Sequence, residues 1–166
     1  MKRHRAWTIL LTTIGFVLVL GILPARAVHY TTLKSCGTDC NYRLIINKPY
    51  NNPYGSRYIA SSSTTQATNA AGGSKSVYQV GASMMIEVFV GAWRDGWSPC
   101  CPAASRDSRD SATVSANKDC QISMGLPGGV TYSFRTRADG WVKRSSTVKY
   151  TYGKSWGETA AIKCPH

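Results

Sequence analysis

The chain has 166 residues, a formal net charge of +12 at pH 7 and six cysteines. This length is enough for one domain with its own hydrophobic core, which excludes a short peptide held together by crosslinks alone. The cysteines are spaced as Cys-x3-Cys and as a vicinal pair, a pattern that argues against a zinc site built from Cys-x2-Cys knuckles.

The amino terminus predicts export. A basic start, "MKRHR", is followed by the apolar run "AWTILLTTIGFVLVLGIL" and then by "PARA". These features are typical of a signal peptide, residues 1–27, that is cleaved after Ala27. The alternative is an uncleaved membrane anchor. The segment holds four of the twenty basic residues and none of the eight acidic ones, so residues 28–166 keep an excess of eight positive charges. We therefore expect a single secreted domain, extracellular or periplasmic.

All the cysteines follow the predicted cleavage site: Cys36, Cys40, Cys100, Cys101, Cys120 and Cys164. An even number in an exported chain predicts three disulfides, although the sequence leaves their pairing open. Vicinal cysteines seldom bridge each other, so Cys100 and Cys101 are expected to reach different partners. For Cys164 we expect a bridge to Cys36 or Cys40. No metal site and no cofactor are predicted.

Short runs of alternating apolar and polar residues recur along residues 28–166, and no long stretch keeps a helical period. The alternation predicts strands in the segments 42–47, 84–93, 120–126, 130–137 and 147–152. In 84–93 it places Ile86 and Val88 on one face and Glu87 on the other. These strands indicate an all-β fold, namely a small disulfide-stapled antiparallel β-sandwich or a small barrel.

Three segments lack this alternation and are predicted to be loops. The first, 47–58, repeats Pro-Tyr and carries Tyr50, Tyr54 and Tyr58 with Arg57 between them. These side chains could stack on sugar rings or enter a membrane interface, or could pack over one end of the fold. The second, 60–76, is small and polar and is predicted to be a mobile surface loop. The third, 104–112, alternates arginine with aspartate and is predicted to be a solvated loop.

The Asp139-Gly140 dipeptide predicts a two-residue hairpin turn. Counting outward from that turn places Tyr132, Phe134 and Trp141 on one face and the basic residues on the other. The predicted cationic face consists of Arg135, Arg137, Arg144 and Lys149. In this register Arg135 and Arg144 oppose each other, which disfavours pairing unless an anion or acid intervenes. The alternative is an ordinary charged strand surface.

Catalytic signals are weak. Nucleophilic mechanisms need a base beside the nucleophile, and the histidines after the cleavage site, His29 and His166, stand at the two chain ends. Glu87 lies within a strongly apolar strand, where burial could raise its pKa for acid catalysis. The alternative is that Glu87 lies on a solvent-facing strand surface and has no catalytic role. A small secreted hydrolase centred on Glu87 or Glu158 is therefore the third hypothesis.

The first hypothesis is a secreted, non-catalytic binding or effector protein, toxin-like or surface-binding. Cationic and aromatic surfaces would engage an anionic target: a cell envelope, membrane headgroups, an acidic glycan or an acidic protein. Peripheral membrane contact is compatible with it, whereas secretion makes nucleic acid a poor expectation. The alternative is a hydrolase inhibitor that uses the disulfide-braced loop 96–104, with Trp97, Pro99 and Pro102 at its centre. The oligomeric state is left open.

Overall fold

The protein is built from β-strands throughout the described part of the chain. The computed structural model describes residues 27–52, 57–96 and 102–166. In chain order the strands are β1 (Val28–Tyr30), β2 (Lys34–Ser35), β3 (Asn41–Asn47), β4 (Tyr50–Asn51), β5 (Tyr58–Thr68), β6 (Val77–Val90), β7 (Ala92–Asp95), β8 (Ala103–Arg109), β9 (Ser111–Asp119), β10 (Thr131–Lys143), β11 (Lys149–Thr151), β12 (Ser155–Trp156) and β13 (Ala160–Lys163). The prediction of an all-β fold is confirmed.

The strands form two antiparallel sheets, one of which curls into a half-barrel. In the six-stranded sheet β1, β3, β5 and β4 lie in that order, with β2 paired to β3 and β9 paired to β5. In the seven-stranded sheet the order is β11, β10, β6 and β7, with β8 paired to β6 and both β12 and β13 paired to β10. The β6–β10 pairing is the longest, and its register runs from Ser133↔Phe89 to Lys143↔Gln79.

The core lies between the sheets and is made largely by alternate residues of the long strands, although β6 is buried continuously from Met84 to Val88. Its largest fully buried side chains include Leu44 and Ile46 from β3, Ile86 and Val88 from β6, and Phe134 from β10. The predicted faces of segment 84–93 are therefore confirmed for Ile86 and Val88. Segments 42–47 and 130–137 are confirmed as strand within β3 and β10, apart from Val130 at the edge.

Hydroxyl groups tie the two sheets together where they approach closely. Thr65 Oγ1 donates to the Gly81 carbonyl at 2.8 Å, and Thr136 Oγ1 donates to the Asn47 carbonyl at 2.8 Å. Between them Gly140 leaves no room for a side chain, because an added Cβ would overlap the Thr65 hydroxyl and lie 2.7 Å from Leu44 Cδ2. Glycine at this position therefore allows the sheets to meet.

That close approach explains why the predicted turn at Asp139-Gly140 is wrong. Both residues lie inside β10, which continues without interruption from Thr131 to Lys143. Because no turn intervenes, Arg135 pairs with Glu87 and not with Arg144. Trp141 consequently shares the outer face with Arg135, and does not face the core with Phe134 as predicted.

Three other local predictions are also wrong. Residues 60–68 of the predicted mobile loop belong to β5, whose small hydroxyl side chains are alternately buried. The predicted solvated loop 104–112 contributes to β8 and β9. The predicted strand 120–126 is a turn, because the Asp119 carboxylate accepts the backbone N–H groups of Gln121 at 2.8 Å and Ile122 at 2.9 Å. Its apolar Ile122 is 79% exposed.

Two disulfides join described residues, Cys36–Cys40 and Cys120–Cys164. The expected bridge from Cys164 to Cys36 or Cys40 is therefore wrong. Cys100 and Cys101 lie outside the described residues, so the expectation that they reach different partners stays a prediction. Two intramolecular bridges are compatible with an oxidising compartment.

The predicted signal peptide lies outside the described residues, apart from Ala27, and stays a prediction. Across the ranges that are described, no helix has the length and apolarity needed to cross a membrane.

Candidate functional site

The outward surface of β6 and β10 carries most of the residues singled out by the sequence. Along β10 the outward positions alternate with core positions, so Arg135, Arg137, Trp141 and Lys143 share one face. Lys149 on β11 pairs with Lys143 in register and joins that face. The structure thus brings three of the four predicted basic residues, Arg135, Arg137 and Lys149, onto one surface.

Two of those cations are neutralised within the sheet. Glu87 is 5% exposed and sits opposite Arg135. Its Oε2 atom accepts from Arg135 Nε at 2.7 Å and its Oε1 atom from Arg137 Nη1 at 2.8 Å. Arg137 Nη1 also lies 3.0 Å from Asp95 Oδ1. At this end, the predicted cationic face is therefore an ion-pair network.

Tryptophans enclose the network. Trp156 Nε1 donates to Glu87 Oε2 at 3.1 Å, and the Arg135 guanidinium carbon lies 4.1 Å from the ring centroid of Trp93 and 5.2 Å from that of Trp156. Cation–π contact and charge-assisted hydrogen bonds hold these groups in one arrangement. Both carboxylate oxygens of Glu87 already accept from fixed donors, an arrangement typical of a structural ion pair and not of a general acid.

A second cationic group occupies the other end of the same face. The indole of Trp141 lies across Gly81 of β6, where an added Cβ would overlap the ring and lie 2.7 Å from Nε1. Lys149 Nζ is 4.8 Å and Lys143 Nζ is 5.6 Å from the centroid of the indole. We call Trp141, Lys143 and Lys149 the lysine–tryptophan patch.

The lysine–tryptophan patch keeps its positive charge within the described part of the structure. Neither lysine forms an ion pair with an acid among the described residues. The carboxylate in the same cross-strand row, Asp107 on β8, accepts a hydrogen bond from Gln79 Nε2 at 2.7 Å. Thr151 on β11 and Ser105 on β8 fall in the Trp141 row and add hydroxyl groups beside the indole. This part of the face combines an aromatic ring, hydroxyls and two ammonium groups.

The fourth predicted cation lies elsewhere. Arg144 follows the last residue of β10, and its guanidinium contacts Gly37 in the Cys36–Cys40 turn, where an added Cβ would overlap Nη1. Its side chain therefore packs toward the six-stranded sheet and not beside Lys149.

The described parts of the tyrosine segment belong to the six-stranded sheet. Tyr50 and Asn52 line a groove of about 280 Å³ with small polar residues of β5 and β9, among them Ser62, Ser115 and Asn117. No charged side chain lines this groove. The structure therefore places Tyr50 and Tyr58 on a different sheet from the basic face.

Of the remaining residues predicted in the tyrosine segment, Arg57 and Tyr58 are described and Tyr54 is not. Arg57 Nε pairs with Asp119 Oδ2 at 2.9 Å, and its guanidinium carbon lies 6.0 Å from the ring centroid of Tyr58. Tyr54 lies outside the described residues.

Only part of the predicted inhibitor loop 96–104 lies within the described residues. Trp97 and Pro99 fall outside the described ranges, whereas the Pro102 carbonyl accepts the Met84 N–H at 3.1 Å. The second proposed catalytic acid, Glu158, is an exposed surface residue 3.7 Å from Lys48 Nζ.

Sequence reasoning missed Lys143 and the outward position of Trp141. The sequence does contain a pattern that indicates both. If β10 continues without a turn, every second residue from 135 to 143 is polar, charged or tryptophan: Arg135, Arg137, Asp139, Trp141 and Lys143. The Asp139-Gly140 dipeptide instead led to the prediction of a turn, which reversed the faces assigned to the residues that follow it.

The fold is that of a disulfide-bonded β-protein with two antiparallel sheets, and basic and aromatic side chains share the outer face of the seven-stranded sheet. Comparisons with protein families, with curated proteins and with solved structures found no match. Among the described residues no group of three or more histidine, cysteine or acidic side chains is placed to hold a metal ion.

Proposed function

We propose that this is a secreted, non-catalytic binding protein whose lysine–tryptophan patch engages an anionic polymer, and an acidic glycan fits the patch best. The observation that carries the proposal is the pair Lys143 and Lys149 held directly opposite each other beside an indole. Like charges facing each other across two strands destabilise the pairing, and an anion between them relieves that repulsion.

The indole distinguishes among the anionic targets. Trp141 lies on the sheet over Gly81, so it presents an amphipathic aromatic surface whose orientation is already fixed. An acidic sugar has an apolar ring face that can stack on an indole and a carboxylate that ammonium groups can hold. The neighbouring hydroxyls of Thr151 and Ser105 suit the hydroxyls of a sugar. A bare anionic surface would use only the two lysines.

The experiment measures the affinity of the protein, without residues 1–27, for polygalacturonate, with dextran as the uncharged polymer. We expect binding to polygalacturonate that weakens as salt rises, and little binding to dextran. The double variant Lys143→Ala/Lys149→Ala should bind about tenfold more weakly, since two exposed ionic contacts contribute about 0.7 kcal/mol each.

A charge-matched control separates the patch from net charge. Arg94→Ala/Lys163→Ala also removes two positive charges, but near the opposite end of the sheet, and this variant should retain wild-type affinity. Equal losses in both double variants would show that overall charge, and not the patch, governs binding. Absence of wild-type binding to polygalacturonate at low salt would reject the acidic-glycan target.

A further inference from the structure

The hairpin between β6 and β7 ends in an exposed apolar tip. Val90 pairs with Ala92, and Gly91 makes the turn with φ of +71°. Phe89 and Val90 are each 44% exposed although both are large and apolar. Val130, which directly precedes β10 at the same end of the sheet, is also 44% exposed. We call Phe89, Val90 and Ala92 the hairpin tip.

The hairpin tip is apolar on both of its faces. Phe89 faces outward beside Trp93, with ring centroids 5.4 Å apart, whereas Val90 and Ala92 alternate to the other face. A protein partner docked on a flat sheet would cover only one of these faces. A lipid layer that receives the end of the hairpin contacts both faces, so the two-sided apolarity favours a membrane surface.

Aromatic residues stand directly behind the tip. Trp93 and Trp156 flank the Arg135 guanidinium, and Trp156 remains 44% exposed while its Nε1 donates to Glu87. Tryptophan prefers the boundary between lipid and water because its ring is apolar and its N–H is polar. The order along the outer face is thus an apolar tip followed by a tryptophan pair, as an interfacial surface requires.

The charges around the tip have the sign that an anionic membrane attracts. Arg94 on β7 and Lys163 on β13 are exposed and form no ion pair with an acid among the described residues. Lys163 pairs in register with Thr131 and therefore lies about level with the Gly91 turn. The nearest acids, Glu87 and Asp95, are already paired with arginines.

We propose that the hairpin tip inserts into the interfacial layer of an anionic phospholipid bilayer, with Trp93 and Trp156 at the boundary and Arg94 and Lys163 on the headgroups. Insertion is shallow because the outer edge of β7 has no strand partner in the described structure, and unpaired backbone groups cannot enter the hydrocarbon layer. This surface lies about 30 Å along β10 from the lysine–tryptophan patch, so the inference does not rest on the proposed glycan function.

The test measures partition into vesicles of phosphatidylcholine alone and of an equimolar mixture with phosphatidylglycerol, by co-sedimentation and by tryptophan emission. We expect binding to the mixed vesicles with a blue shift of the emission, and weak binding to phosphatidylcholine alone. Val90→Asp should lower the partition coefficient at least tenfold. Val148→Asp is the matched control, because Val148 is 43% exposed in the turn beside the opposite end of β10. The partition coefficient of this variant should stay within twofold of wild type.

The charged pair is tested in the same assay. Arg94→Ala/Lys163→Ala should reduce the preference for anionic vesicles about 25-fold, since each basic residue near such a surface contributes about fivefold. Lys143→Ala/Lys149→Ala removes equal charge at the far end and should leave the preference largely intact. Equal losses for Val90→Asp and Val148→Asp would overturn the proposal in favour of general electrostatic adsorption. Absence of wild-type binding to the mixed vesicles would also overturn it.

Discussion

Replacement of Glu87 by glutamine tests whether the ion-pair network holds the outer face together. The carboxylate is buried, and the side chains of Arg135 and Arg137 are only 23% and 17% exposed. Glutamine keeps the shape but loses the charge. Its amide nitrogen must face either Arg137 Nη1 or the pair of donors from Arg135 and Trp156, which sets donor against donor.

The expected loss of stability lies between two limits. Removing one partner of a fully buried ion pair costs about 3–5 kcal/mol, and an exposed pair contributes about 0–1 kcal/mol. Here the carboxylate is buried, the guanidinium groups are partly hydrated, and Asp95 still contacts Arg137. We therefore expect Glu87→Gln to lower the free energy of unfolding by about 2–3 kcal/mol.

Urea unfolding followed by tryptophan fluorescence measures this loss, with an unchanged m-value as the sign that the native state is intact. Asp107→Asn is the control, since it changes an exposed carboxylate on the same face and should shift the free energy by less than about 0.5 kcal/mol. A double-mutant cycle of Glu87→Gln with Arg135→Met should give a coupling energy of about 1–2 kcal/mol. Additive effects, or a Glu87→Gln variant as stable as wild type, would refute the network as a stabilising element.

Two further predictions concern the core. Gly140→Ala should lower the free energy of unfolding by about 3 kcal/mol because the new methyl group overlaps Thr65, whereas Gly73→Ala, which meets only the flexible side chain of Asn69, should be nearly neutral in the same urea titration. Burial, and secondarily the neighbouring Tyr152, raises the pKa of Tyr42 above its usual range. Above about pH 10 the unfolded chain therefore releases this proton before the native state does, and stability falls as pH rises. Tyr42→Phe should flatten that fall when unfolding is measured from pH 9 to 11, and an unchanged slope would contradict the assignment.

The sequence indicates those strands whose two faces differ in polarity. Ile86 and Val88 alternate with Glu87, and Phe134 alternates with Arg135, so a period of two identifies β6 and the first half of β10. It fails for β5, where Ser61 and Thr65 are buried. Their hydroxyls bond to Asn47 and Gly81 across or between strands, and such partners are visible only once the sheets have met.

The candidate site was predictable in composition but not in arrangement. The sequence supplies Arg135, Arg137 and Lys149, and it indicates that opposed arginines need an acid between them. It does not reveal that the acid is Glu87, because that pairing depends on the register of two strands almost fifty residues apart. Charge alone therefore overstated the number of cations that remain uncompensated on this face.

The residues Asp139, Gly140 and Trp141 show how one triplet serves three purposes when it lies within a strand. Asp139 accepts a hydrogen bond from Ser83 Oγ at 2.8 Å, Gly140 admits the facing sheet, and Trp141 fills the space left by Gly81. These contacts fix the indole before any ligand arrives, so binding to it requires little further ordering. The lysine pair beside the indole keeps a repulsion that the fold does not relieve. An anion bound between the two ammonium groups relieves their repulsion, and because it binds the native state alone it stabilises that state. This is the physical reason for placing the proposed binding function at this end of the sheet, beside the rigid indole.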